Sequence, residues 1–164
     1  SMLIAAKGYR IIYEPEAYAL ETASENVSEE LKRKIRIAAG GIQSILRLQS
    51  LLLPFKFPIL SFQYVSHRVL RWTVTPFFLI LAFITNFAVA FAGKGLVYEL
   101  LFAGQVLFYS LAIFGYIMEE RQIRIKILFI PYYFCVMNYA VMAGIIRYFT
   151  TQQSSVWEKA QRKM

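Results

Sequence analysis

The side chains best placed to do chemistry in this sequence are arginines. Arg33, Arg36, Gly40, Gln43 and Arg47 recur at helical spacing within residues 28–48, and at about 100° per residue they share one face. The opposite face carries Leu31, Ile35, Ala38, Ile42 and Ile45. Ser28 fits an N-cap, and Glu29 and Glu30 suit the positive end of the helix dipole. A guanidinium offers a planar fork of N–H donors that matches phosphate oxygens, so two arginines one turn apart could hold a diphosphate. The same pattern also describes a helix whose basic face only meets water or lipid headgroups.

A second group of polar residues follows at 61–72. Gln63, His67 and Arg71 repeat every four residues, with Phe62, Val65, Val69 and Trp72 expected on the other side. A basic, aromatic, amphipathic helix beside an apolar run is a membrane-surface element, which makes His67, Arg68, Arg71 and Trp72 interface residues. His67 is the only histidine and has no carboxylate near it in sequence, so it reads as a headgroup-level polar residue and not as a metal ligand. Cys135, the one cysteine, lies in an apolar run and is expected to pack there.

The elements that must position these residues are apolar. Of 164 residues, 58% are hydrophobic and 17% charged, and the charges are segregated. No charged residue lies between Arg71 and Lys94, between Glu99 and Glu119, or between Lys126 and Arg147. Each gap approaches the roughly 20 residues that cross a hydrocarbon core, so the chain is read as an integral membrane protein. The net charge of +8 then points to anionic headgroups or a phosphate-bearing substrate, and not to nucleic acid. Spans are expected at 73–92 and 96–118. Arg121, Arg124 and Lys126 assign the connection after the second to the cytoplasm, and the Gly93-Lys94-Gly95 turn to the other side. The third apolar run, 127–146, conflicts with this rule. Its tail carries Arg147, Lys159, Arg162 and Lys163, again a cytoplasmic signal, whereas a single crossing would put it outside. Pro131, Asn138 and Gly144 punctuate the run, so a segment lying in the interface, or entering and returning, is expected, with the tail cytoplasmic.

At the start, residues 2–7 read as the end of a helix closed by Gly8, followed by a short strand at 9–13 that Pro15 interrupts. The chain is expected to begin inside a domain. The fold class that follows is mostly α and integral to the membrane. Two to three transmembrane helices join amphipathic interface helices and a short N-terminal β remnant.

Three blocks of this sequence resemble the C-terminal part of membrane-embedded family 2 glycosyltransferases, the group of cellulose, hyaluronan and poly-N-acetylglucosamine synthases. Gly8-Tyr-Arg-Ile-Ile-Tyr-Glu-Pro-Glu-Ala17 is similar to the strands that close the GT-A (α/β) catalytic domain. Arg33-Lys-Ile-Arg36-Ile37-Ala-Ala-Gly40 falls where processive members carry Gln-x-x-Arg-Trp and a glycine. Trp157-Glu-Lys-Ala-Gln-Arg162 resembles the segment that closes over the nucleotide, and Ser66-His-Arg-Val-Leu-Arg-Trp72 the interface helix before the first C-terminal span. The resemblance implies four parts: the edge of the GT-A domain at 1–27, interface helices at 28–72, a transmembrane region at 73–149 and a cytoplasmic tail at 150–164. It implies that Arg33, Arg36 and Gly40 meet the donor diphosphate or acceptor, and that Trp157, Lys159 and Arg162 act as a gate. It also implies a nucleotide-sugar donor, a polysaccharide or lipid-linked acceptor, and the inner (cytoplasmic) membrane with the active face in the cytoplasm. Ile37 stands where processive synthases have the tryptophan that stacks the acceptor sugar, which brings a lipid-linked or short acceptor into consideration. No aspartate occurs in the sequence. The general base and the ligands for a divalent Mg or Mn ion are therefore expected upstream, and these residues alone are expected to be inactive and to hold no metal. The competing reading is a non-enzymatic membrane adaptor whose basic helices gather anionic lipid or a partner protein.

Overall fold

A computed structural model describes residues 2–20, 26–53, 55, 57–123 and 125–150. Helix α1 (Met2–Ala6) is short and turns at Gly8 (φ 88°), as its sequence suggests. The strand expected after it is absent: residues 9–20 form no regular structure, and no strand occurs among the described residues. A strand needs a neighbour to complete its hydrogen-bond ladder, and none of the described segments supplies one. Tyr9, Ile11, Ile12 and Tyr13 are left exposed.

Helix α2 (Val27–Arg47) begins earlier than Ser28. Asn26 is the N-cap, its side chain accepting from the Glu29 backbone N–H at 2.9 Å. Asn26 and Glu29 stand in the spacing of a capping box, a signal present in the sequence. The apolar stripe is where the spacing puts it: Ala38, Ile42 and Ile45 are buried, and Leu31 and Ile35 half-buried. Ala39 and Gly41 widen that stripe.

After a 3₁₀ turn (Gln49–Leu51), helix α3 (Pro58–Tyr64) passes through one π-helical turn (Val65–Val69) into α4 (Leu70–Thr73). Proline at the first helical position costs no hydrogen bond. The buried face differs from the expected one. Phe62 is 70% exposed, while Ser61 (1%) and Tyr64 (0%) are buried. The Ser61 hydroxyl donates to the Leu53 carbonyl at 3.1 Å, which settles the loop before the helix. The chain then bends by 62° into α5 (Thr75–Phe91). Thr73 and Thr75 hydroxyls donate to the carbonyls of Val69 (2.7 Å) and Leu70 (3.1 Å), the latter also accepting from the Val74 N–H, so the side chains brace the bend.

Helices α6 (Leu96–Glu120) and α7 (Lys126–Thr150) are long and apolar enough to cross a membrane. The described residues thus hold two candidate spans, or three if α3–α4 with α5 is one broken span. α5 alone has 17 residues, about 26 Å at 1.5 Å per residue, slightly less than the roughly 30 Å of a hydrocarbon core.

α5 and α6 form the expected antiparallel hairpin. Asn86 donates to Gln105 at 2.9 Å, Phe87 and Phe91 meet Phe102, and Phe83 meets Tyr109, so one register runs the length of the pair. This register sets the start of α5 beside the end of α6. α7 begins at that same end, crossing α6 where Gly115 meets Leu128 and Tyr132. Its last third packs elsewhere. Gly144 seats against Ile35, Ala38 and Ala39 of α2, while Ile145 and Tyr148 join the core of Ile42, Ile45, Leu48, Leu51 and Tyr64. Trp72, three residues before α5, packs on that core as well. α7 therefore runs along α6 as far as Phe134, which meets Phe108, and its last third packs on α2 and on the helices that precede α5. It is one continuous helix, with Pro131 inside it, and not a segment that enters and returns.

Cysteine labelling in sealed vesicles tests this arrangement after Cys135 is replaced by serine. A cysteine at Phe149 should react from the same side as one at Arg71, and one at Lys94 from the opposite side. Labelling of the Phe149 and Lys94 positions from one common side would show that α7 crosses with the hairpin.

Candidate functional site

Four cations and two carboxylates share the first turns of α2. Glu30 accepts from Arg33 Nε and Nη2, both at 3.0 Å, and lies 3.4 Å from Lys34 Nζ. Glu29 holds Lys32 at 2.7 Å. Such pairs contribute a few tenths of a kcal/mol each. Their chemical consequence is larger: the guanidinium fork of Arg33 is already engaged by Glu30. Arg36, half-buried, follows one turn on. Arg47 is exposed at the far end of the helix, and Gln43 half-buried between them.

The two glycines of α2 have different surroundings. A Cβ built at Gly40 would meet nothing within 4 Å, so the space beside it is not used by any described residue. At Gly41 a Cβ would collide with the indole of Trp72. The close approach that the sequence suggested for Gly40 is made within this chain by its neighbour, and the Gly-Gly pair together with a downstream tryptophan was the available signal.

Among the interface residues, His67 and Arg71 are exposed. Arg68 is not: it turns inward, with its guanidinium carbon 5.9 Å from the Trp72 ring centroid and its Nε buried. Tyr64, one turn earlier, is fully buried, with its hydroxyl 3.5 Å from the Ser44 carbonyl. Burial pushes the Tyr64 phenol above its ordinary value, opposed by the Arg68 cation and the contact with Ser44. It therefore remains a neutral hydroxyl at neutral pH. Tyr64, Arg68 and Trp72 form a file at four-residue spacing, wedged between α2 and the start of α5.

The proposed gate of Trp157, Lys159 and Arg162 lies outside the described residues. Among the described residues, no three His, Cys, Asp or Glu side chains come together in a way that could hold a metal ion. Comparison with known proteins gives no family: no protein-family model, curated protein or solved structure matches the chain.

The glycine asymmetry is testable by stability. Gly41→Val should destabilise the detergent-solubilised protein by about 1–3 kcal/mol, because the indole has no space to retreat. Gly40→Ala should leave stability unchanged or raise it by up to about 1 kcal/mol, since it only removes a helix-interior glycine. Thermal unfolding of both variants is the measurement, and equal effects would place Trp72 elsewhere.

Proposed function

We propose that the chain is the C-terminal membrane and interface portion of a family 2 glycosyltransferase. In this reading it moves a sugar from a nucleotide-sugar donor to a growing polysaccharide or a lipid-linked acceptor, at the cytoplasmic face of the inner membrane. The observation that carries the reading is the way α2 is held. Its small-residue face is fixed on α7 and Trp72, while the space beside Gly40, on the basic face, is left open. A rigid helix with arginines next to an open backbone suits a diphosphate and a sugar better than mobile surface lysines would.

In an inverting transfer the nucleoside diphosphate leaves with developing negative charge, which fixed cations stabilise. Arg33 and Arg36 share that role, Arg33 with its fork also held by Glu30. Gly40 lets the donor or acceptor approach the helix backbone. The carboxylate base and the ligands of a divalent ion belong to a nucleotide-sugar domain that this reading requires in the same polypeptide. Trp157, Lys159 and Arg162 close the site from the tail.

Two measurements test the proposal. The reading frame upstream of Ser1 should encode an aspartate-containing nucleotide-sugar domain. In that complete enzyme, Arg36→Ala should lower turnover at least about tenfold, from a lost charge-assisted contact of roughly 1.5–3 kcal/mol, with normal membrane insertion. Lys32→Ala, whose ammonium already pairs with Glu29, should change turnover little. Equal, small effects of both would leave the adaptor reading, in which the basic face only meets headgroups or a partner.

A further inference from the structure

Arg68 is a cation packed inward without an anion. Its Nε is buried and has no hydrogen-bond partner among the described residues, and the Trp72 ring is the group that faces its charge. Arg68 as a whole is half-exposed, but its buried Nε loses water without gaining a partner, and the face of an aromatic ring offsets only part of that cost. Among the described residues no carboxylate pairs with it. None of its acidic residues lies between Glu30 and Glu99 or within α7, and Glu29 and Glu30 are already engaged by Lys32, Arg33 and Lys34. The other charged side chains of α3–α4 and of the last turns of α2 and α7 are Arg71, Arg47 and Arg147, all cations, and the ionisable groups nearest Arg68 on its own helix are His67 and the neutral phenol of Tyr64. Arg68 also sits one turn before the 62° bend into an apolar helix, the depth at which lipid phosphates lie.

We propose that Arg68, backed by Trp72, is a binding site for one phosphate group at the headgroup level of the membrane, separate from the Arg33–Arg36 face and independent of the transferase reading. The guanidinium fork takes two phosphate oxygens while the indole holds its plane. The phosphate belongs to an anionic phospholipid or to a soluble diphosphate, which share this chemistry and differ in whether an acyl chain accompanies them. Exposed Arg71 adds long-range attraction only.

The test uses the purified chain in maltoside micelles, which contain no phosphate. Replacing Trp157 with phenylalanine leaves Trp72 as the single tryptophan and an emission probe beside Arg68. Short-chain phosphatidylglycerol and inorganic pyrophosphate are titrated separately. A saturable change in Trp72 emission is expected, weakened about tenfold or more by Arg68→Gln and less than about threefold by Arg71→Gln. Saturation by phosphatidylglycerol alone assigns the phosphate to a lipid, and saturation by pyrophosphate assigns it to a soluble ligand. If Arg68→Gln does not fold, Arg68→Lys keeps the charge and loses the fork, and it should bind several-fold more weakly than the parent. No saturable response to either probe, or equal affinity in the parent and the foldable Arg68 variant, overturns the site.

Discussion

Everything in this structure depends on the seam between α2 and α7. Ala38 and Ala39 are buried, and Gly144 lies so close to them that a Cβ on it would clash with the Ala38 side chain. Between helices in an apolar solvent there is little hydrophobic force, so close backbone approach through small residues supplies the dispersion contact that holds them. α2 is not itself an apolar helix; its polar face and its charged first turns could not be placed in hydrocarbon. The seam fixes an amphipathic, water-facing helix to an apolar one. That single contact decides where the basic face lies relative to the hairpin.

The second attachment of α2 is made by Trp72. Because Trp72 precedes the bend into α5 by only a few residues, its seat on Gly41 ties the interface helix, the bend and α2 into one body. The π-helical turn at Val65–Val69 lies in the middle of this arrangement. Such turns insert a residue into an α-helix and recur at functional sites. Here it sits in the run that brings Tyr64, Arg68 and Trp72 inward. The cost is a charged residue on a packed face, and the indole lying over the guanidinium is how the chain tolerates it.

The sequence made the apolar elements legible because their signals are long: three charge-free gaps near twenty residues, and a five-residue stripe on α2 whose last three members are buried and first two half-buried. The Gly93–Gly95 turn was legible for a different reason, since it is too short to allow anything but an antiparallel return. Three features were misread. Asn26 outcompeted Ser28 as the cap because its side chain reaches the Glu29 N–H. The segment at 9–13 alternates like a strand, but alternation specifies a face and not a partner, and the described chain has no partner for it. On α3–α4 Val69 and Trp72 pack on the core as their spacing indicates, but Phe62 is exposed, Ser61 and Tyr64 are buried, and Arg68 lies over Trp72. Pattern reading of that kind has no way to price an indole against a guanidinium. For the candidate site, the positions of Arg33 and Arg36 on the polar face were readable, whereas the pairing of Arg33 with Glu30 depends on rotamers and the role of Gly41 on a tertiary contact with Trp72, about thirty positions along the chain, that local pattern does not encode.

The distribution of charge gives these separate features a common cause. The carboxylates are confined to α2's first turns, to the ends of α6 and to the chain's outer segments, while the stretch from Lys32 to Lys94 carries cations alone. Where carboxylates are present, the cations beside them are neutralised in pairs, as Glu29 and Glu30 do for Lys32, Arg33 and Lys34. Where they are absent, the helices that pack together, the end of α2, α3–α4 and the end of α7, all bring positive side chains to one region. A folded core tolerates such an imbalance only if counter-charge comes from outside it. Phosphate is the anion that a membrane and a nucleotide-sugar reaction both supply at this depth. The diphosphate role proposed for α2 and the phosphate site proposed at Arg68 both rest on this one electrostatic asymmetry.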